Sequence, residues 1–223
     1  MRDFEAELRA VVRSRYHDLH PFNQRMHAGL LSEQELRGWI LNRFHYQRHL
    51  PIKDALILAK LDHPDLRRLW IRRVVDQDGA SGGEGGLERW LRLGEAAGCG
   101  REEMWSGRAV LPGVRLAVDG YVNLCRHGSA LEAVAASLTE LLAPDLMKTR
   151  IAAFEEHYPW IGSDGLRYFQ VRVDQGREDG EQALPLVLSW ARGPTERQAA
   201  IRALEYKCEV LWTLLNAVER AYR

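Results

Sequence analysis

Arg43-Phe-His-Tyr-Gln-Arg-His-Leu-Pro-Ile-Lys-Asp54 is the stretch on which the reading of this chain turns. It has helical character, with only Pro51 to kink or restart the helix, yet one face is too polar for ordinary core. At ~100° per residue, Arg43, Tyr46, Gln47, Leu50, Lys53 and Asp54 fall within about a third of the helix circumference. Two cations, a phenol, an amide and a carboxylate share that stripe, and the apolar run Ala55-Leu-Ile-Leu-Ala59 follows it directly. Such a stripe on a packing helix faces either solvent or a polar pocket. Similar stripes recur further along the chain, and the recurrence favours a pocket.

Working outward from this stretch, helical periodicity dominates and strand signals are nearly absent. The pattern predicts helices over 3–14, 20–29, 32–49, 51–61, 65–76, 84–98, 114–127, 129–142, 144–156, 163–175, 178–191 and 195–222. Ser32-Glu-Gln-Glu35 reads as a capping box, and Pro194-Thr-Glu-Arg-Gln198 as the start of the last helix with Thr195 as its cap. Short breaks between helices suit antiparallel neighbours, so the expected fold class is all-α, a compact helical bundle forming one domain over 1–223. The break Asp76-Gln-Asp-Gly-Ala-Ser-Gly-Gly-Glu-Gly-Gly86 holds five glycines in its last eight residues. It matches neither a P-loop nor a Rossmann turn. A flexible connector and a mobile flap over a pocket are both open readings.

Composition narrows the partners. The 223 residues carry 31 basic and 31 acidic side chains, so no basic excess supports nucleic-acid or anionic-membrane binding. No apolar run approaches a membrane span, and the N-terminus has acidic residues where a signal peptide needs an apolar run. The three cysteines, Cys99, Cys125 and Cys208, form no CxxC or zinc-finger pattern. A reduced cytoplasmic compartment is expected.

Further polar groups stand where packing alone would not choose them. Tyr16-His17 precedes a turn at His20-Pro21, and Tyr121 lies on a mostly apolar helix. Glu140 follows Ala133-Val-Ala-Ala-Ser-Leu-Thr139 and needs a partner or a wet cavity, with Arg150 as the candidate counter-charge. Tyr168 and Arg172 share a face at i and i+4, and Lys207 sits mid-helix among apolar neighbours. Each alone reads as a packing or surface residue. Together they suggest a pocket for a small, multiply anionic ligand, because guanidinium forks bind carboxylates bidentately and burial strengthens such pairs. A phenol and an imidazole beside them could move protons.

The chain also resembles the pyrroloquinoline-quinone (PQQ) synthase family. The resemblance runs from about Phe4 to Tyr222, through Tyr16-His17…His20-Pro21, Trp39-Ile-Leu-Asn-Arg-Phe-His-Tyr-Gln47, Pro51-Ile-Lys-Asp54, Gly85-Gly-Leu-Glu-Arg-Trp90, Leu111-Pro-Gly-Val-Arg115, Ser137-Leu-Thr-Glu140, His157-Tyr-Pro-Trp160 and Tyr206-Lys207…Leu211-Trp212. It implies a haem-oxygenase-like, thiaminase-II-like bundle, usually a homodimer. It also implies an oxidase with neither metal nor organic cofactor, using molecular oxygen as co-substrate. The implied reaction closes the third ring of a tetrahydroquinoline polycarboxylate precursor and completes its eight-electron oxidation to PQQ, releasing hydrogen peroxide. Carried over by position, the family pocket falls on Tyr16, Arg43, Gln47, Lys53, Glu140, Arg150 and Lys207 for substrate binding. His17, Tyr121, Tyr168, Arg172 and the position of Gln77 fall to catalysis, with His17, Tyr168 and Arg172 near oxygen.

Two positions depart from the family pattern. Asp76-Gln77-Asp78-Gly79 stands where the family reads Asp-His-Asp-Gly, and an amide does no acid–base work near neutral pH. Met147 replaces a histidine found in some relatives. Gln77 keeps open a second reading, a PQQ-binding or chaperoning homologue with weakened or lost turnover. A di-iron oxidase of the same fold would need metal ligands where this chain has Tyr168, Arg172 and Gln175, and arginine does not ligate iron. A thiaminase-like hydrolase wants an activated cysteine, and Cys125 has no evident local base.

Overall fold

Helices, with no strand among the described residues, make up the architecture. The computed structural model describes residues 2–81 and 83–223, Arg2 by its backbone alone. In chain order the helices are α1 (Arg2–Arg15), α2 (Pro21–His27), α3 (Glu33–Gln47), α4 (Leu50–Leu58), α5 (Pro64–Asp78), α6 (Gly86–Ala96), α7 (Arg101–Ser106) and α8 (Pro112–His127). They continue with α9 (Ala130–Ala136), α10 (Ala143–His157), α11 (Gly162–Gly165), α12 (Arg167–Trp190) and α13 (Pro194–Tyr222). Three 3₁₀ turns, His17–Leu19, Ser137–Leu142 and Pro159–Ile161, join them.

The long α13 is the central member, packed against α1, α3, α8 and α9, while α12 packs on α9, α10 and the 3₁₀ turn at Ser137–Leu142. Trp39, Trp70, Trp90, Phe22, Phe44, Phe154 and Phe169 are buried to within 2% exposure and set the spacing between these helices. The Ser32–Glu35 capping box forms, with the Glu35 N–H donating to Ser32 Oγ at 3.2 Å and the Ser32 N–H donating to Glu35 Oε2 at 2.8 Å.

Four expectations need correction. The helices predicted over 163–175 and 178–191 are one helix from Arg167, preceded by the single turn of α11. Gly176 is helical and does not break it. Gly176 and Gly180 instead let α12 come against the start of α10 and the 3₁₀ turn: a Cβ on Gly176 would lie 3.2 Å from Ala143 Cβ, and one on Gly180 3.3 Å from Leu141 Cα. The helix predicted through 129–142 is α-helical only to Ala136, and the rest tightens to 3₁₀. Thr195 is not the cap of α13. Gly193 takes that place with Pro194 at the first helical position, where its missing N–H costs nothing, and Glu196 reaches back to accept from the Gly193 N–H at 3.0 Å. Finally α7 was missed, because it is six residues long and only Met104 among them is buried.

The glycine-rich break closes α5 and opens α6. Gly79 has φ of +90°, and a Cβ on Gly85 would meet the Gln77 carbonyl oxygen at 2.3 Å. Close passage of two backbone segments therefore explains glycine at 79 and 85. No helix among the described residues is long and apolar enough to cross a membrane.

Candidate active site

A small cavity of about 40 Å³ lies among the helices. Tyr16, His17, Arg43, Tyr46, Gln47, Leu50, Thr139, Glu140, Ala143, Met147, Tyr168, Arg172 and Leu211 form its wall. α3 and the start of α4 supply Arg43, Tyr46, Gln47 and Leu50, four members of the polar stripe at helical spacing. α12 supplies Tyr168 and Arg172 one turn apart, and the 3₁₀ turn beside Gly180 supplies Thr139 and Glu140.

Tyr16 and His17 enter from the link between α1 and α2, which is anchored by His20. The His20 ring accepts the Phe22 N–H on Nδ1 at 3.0 Å, capping α2, and its Nε2 sits 3.1 Å from Asn216 Oδ1 on α13. Asn23, fully buried on α2, donates from Nδ2 to the His17 carbonyl at 2.6 Å and lies 3.0 Å from His17 Nδ1. Its other end, Oδ1, accepts from Arg150 Nη2 at 3.3 Å.

Arg172 is held by two carboxylates. Its Nη2 meets Glu140 Oε2 at 2.6 Å and its Nη1 meets Asp179 Oδ2 at 3.1 Å. Burial opposes its charge, but Glu140 and Asp179 outweigh that and raise its proton affinity. Asp179 is shared with Arg73, whose Nε lies 3.3 Å from Oδ1. Arg73 stacks on Trp70 at 4.0 Å, and Trp70 Nε1 donates to Asp54 Oδ1 at 3.0 Å. Asp54 then pairs with Lys53 at 2.7 Å, so a continuous charged chain runs from the cavity wall into the α4–α5 contact.

Arg43, Arg150 and Lys207 are different. None has a carboxylate at ion-pair distance among the described residues. Arg43 stacks on the Tyr46 ring at 4.0 Å. Arg150, 2% exposed, lies between the rings of Trp39 and Phe169 at 5.0 and 5.5 Å, and burial together with Arg43 pushes it down to about 9. Lys207, 1% exposed, donates to the Tyr46 hydroxyl at 2.8 Å, and burial followed by Arg43 holds its ammonium well below the usual lysine range. Burial raises the Tyr16, Tyr46, Tyr121 and Tyr168 phenols, so all four remain O–H donors. Burial, then Arg43, Arg150 and Lys207, lowers His17 well below the usual imidazole value and keeps it neutral.

The structure therefore brings Tyr16, His17, Arg43, Gln47, Glu140, Tyr168 and Arg172 to one wall. Arg150 stands behind His17, and Lys53, Tyr121 and Lys207 stand behind Tyr46. Gln77 is buried against Gly86, its Oε1 without a partner among the described residues, and is not on the cavity wall. Pairing of Glu140 with Arg150 does not occur: Arg172, on the helix that the two glycines bring close, takes Glu140 instead. Sequence reading missed the wall residues Thr139, Ala143 and Leu211, as well as Asn23, Arg73 and Asp179 behind it. Tyr46 and Leu50 carried a signal, their place in the stripe; Asn23 carried none beyond its distance from His17 in sequence. Around the cavity are guanidinium groups, phenols, an imidazole and one carboxylate, and no group of three or more metal-binding side chains occurs among the described residues.

Known proteins resemble this chain to different depths. The model of the TENA/THI-4/PQQC family matches residues 5–217. The pyrroloquinoline-quinone synthase of Cronobacter sakazakii is 45% identical over 220 residues, covering 99% of this chain and 87% of that protein. The pyrroloquinoline-quinone synthase of Acidiphilium cryptum is 46% identical over 220 residues, covering 99% and 89%. A Shewanella denitrificans domain described as having a heme oxygenase-like fold superposes with a TM-score of 0.78 at 13% identity, covering 99% of this chain and 92% of that one. That likeness shows the haem-oxygenase-like fold.

Proposed function

The chain belongs to the TENA/THI-4/PQQC family, and from that premise we propose that it acts in PQQ biosynthesis as an oxidoreductase, a pyrroloquinoline-quinone synthase. The step is the last one: ring closure of a tetrahydroquinoline polycarboxylate and its eight-electron oxidation to PQQ, with molecular oxygen as acceptor and hydrogen peroxide released.

One observation carries this reading. Half-buried Arg43 lines the cavity and the buried Arg150 and Lys207 stand behind its wall, none with a carboxylate at ion-pair distance among the described residues, and unpaired buried cations are expensive unless a ligand neutralises them. A polycarboxylate supplies the missing charge. Gln47 Oε1, buried at the cavity wall without a partner among the described residues, suits an N–H of the same ligand. The protonated phenols of Tyr16, Tyr46 and Tyr168 can donate to carboxylate or quinone oxygens. Arg172, clamped by Glu140 and Asp179, presents a fixed cation to anionic reduced oxygen.

The chemistry is proposed to need no metal and no organic cofactor, with the electrons passing from the substrate to oxygen. The acting form is proposed to be a homodimer. The experiment is aerobic incubation of purified, iron-assayed protein with the precursor. Metal-independent growth of quinone absorbance with peroxide release supports the reading. PQQ binding without turnover would support the chaperone alternative that Gln77 keeps open.

A further inference from the structure

We infer that Asn23 is a positioning residue that fixes the tautomer of His17, so that His17 works in the cavity as an Nε2–H hydrogen-bond donor and not as a base. The geometry leaves the Asn23 amide no freedom. A guanidinium only donates, so the atom facing Arg150 Nη2 at 3.3 Å must be the amide oxygen. A backbone carbonyl only accepts, so the atom 2.6 Å from the His17 carbonyl must be the amide nitrogen. The two ends agree, and Asn23 is fully buried, so no water can substitute for either contact.

The same amide nitrogen lies 3.0 Å from His17 Nδ1. Its first hydrogen goes to the carbonyl and its second points at the ring. An N–H on Nδ1 would oppose it, donor against donor, so Nδ1 holds the lone pair and the ring proton sits on Nε2. Burial, and then the cations Arg43, Arg150 and Lys207, disfavour a second ring proton. His17 lines the cavity, and Nε2 has no protein partner among the described residues. The nitrogen left for a ligand therefore carries a hydrogen. It suits an anionic oxygen of the bound polycarboxylate, and it cannot accept a proton there without first losing one. Arg150 thus acts twice: as a cation for the ligand and, through Asn23, as the group that sets what His17 offers.

The tautomer can be read in the ligand-free protein, so this part stands apart from the PQQ reading; the kinetic consequence rests on that reading. Long-range ¹H–¹⁵N spectra of histidine-labelled protein should show His17 with an unprotonated Nδ1 and a protonated Nε2. Asn23→Asp, whose carboxylate accepts from both Arg150 and the ring, should move the proton to Nδ1. A wild-type ring protonated at Nδ1, or at both nitrogens, overturns the inference. So does an Nε2–H signature that Asn23→Asp leaves in place in a folded variant.

For the donor role, His17→Gln places an amide N–H near the position of Nε2 without acid–base capacity. It should keep quinone formation within about tenfold of wild type, whereas His17→Leu should lose roughly 10²-fold or more. Equal loss in His17→Gln and His17→Leu, with PQQ affinity and melting temperature retained, overturns the donor role. Absence of turnover in wild type itself overturns the synthase reading and leaves the spectra to decide the tautomer.

Discussion

Lys207→Met should yield a ligand-free protein more stable than wild type and a protein that has largely lost PQQ. Lys207 is 1% exposed, and its nearest polar partner is the Tyr46 hydroxyl at 2.8 Å. Burial and the Arg43 charge depress its folded-state proton affinity well below that of an ordinary lysine. The sign follows directly: the unfolded chain holds this proton more tightly, so the folded state is penalised at neutral pH, and the penalty fades as pH rises toward the unfolded value. Methionine keeps the length and removes the charge. Replacing buried ionic groups by apolar ones of similar volume stabilises by about 1–4 kcal/mol in favourable cases. Against this, the Tyr46 hydroxyl loses a partner, worth about 1–3 kcal/mol if it stays unsatisfied. Tyr46 lines the cavity, where water can answer it, so the gain should win by about 1–2 kcal/mol. In a chain of this length that is a rise of roughly 2–8 °C in melting temperature. Affinity for PQQ should fall by about 2–5 kcal/mol, roughly 30-fold to several thousand-fold in Kd. Calorimetric melting with and without PQQ reads both effects: at ~100 Kd of ligand wild type gains about 2.7 kcal/mol and the variant almost nothing. A destabilised apo variant with unchanged PQQ affinity would refute the view of Lys207 as a cation waiting for a ligand anion.

Asp179→Asn should destabilise the protein by about 3–5 kcal/mol in denaturant titration, because it breaks a buried cluster, takes from Arg73 its carboxylate and leaves Arg172 with Glu140 alone; a change under 1 kcal/mol would show the charged chain to be dispensable. PQQ binding at mildly alkaline pH should take up protons, since a ligand carboxylate raises the depressed Lys207 and affinity therefore weakens as pH rises. Titration calorimetry in buffers of different ionisation enthalpy checks this, and buffer-independent heats contradict it. Gln77→His should speed quinone formation with little change in affinity, because a positioned acid–base group contributes ~10²–10⁴-fold and glutamine cannot change protonation state. Fast wild-type turnover that the substitution leaves unchanged would mean that another group has taken over the transfer.

Much of the helical order was legible in the chain because it is local. Spacing at 3.6 residues, the Ser32–Glu35 box and the prolines at helix starts act over one or two turns, and so did the stripe that puts Arg43, Tyr46, Gln47 and Leu50 on one wall. Motif resemblance extended this to residues on separate helices. What stayed hidden depends on distances between segments far apart in sequence. Gly176 reads as a break until Ala143 and Pro144 are seen against it and the Leu141 backbone against Gly180; that approach gives Glu140 to Arg172 and leaves Arg150 without a carboxylate among the described residues. Asn23 looks like any polar helix residue until Arg150, 127 positions away, meets one end of its amide and His17 the other. Periodicity assigns side chains to faces, but ion pairing and tautomer are decided by which donors and acceptors come within about 3 Å, and only the packed chain settles that.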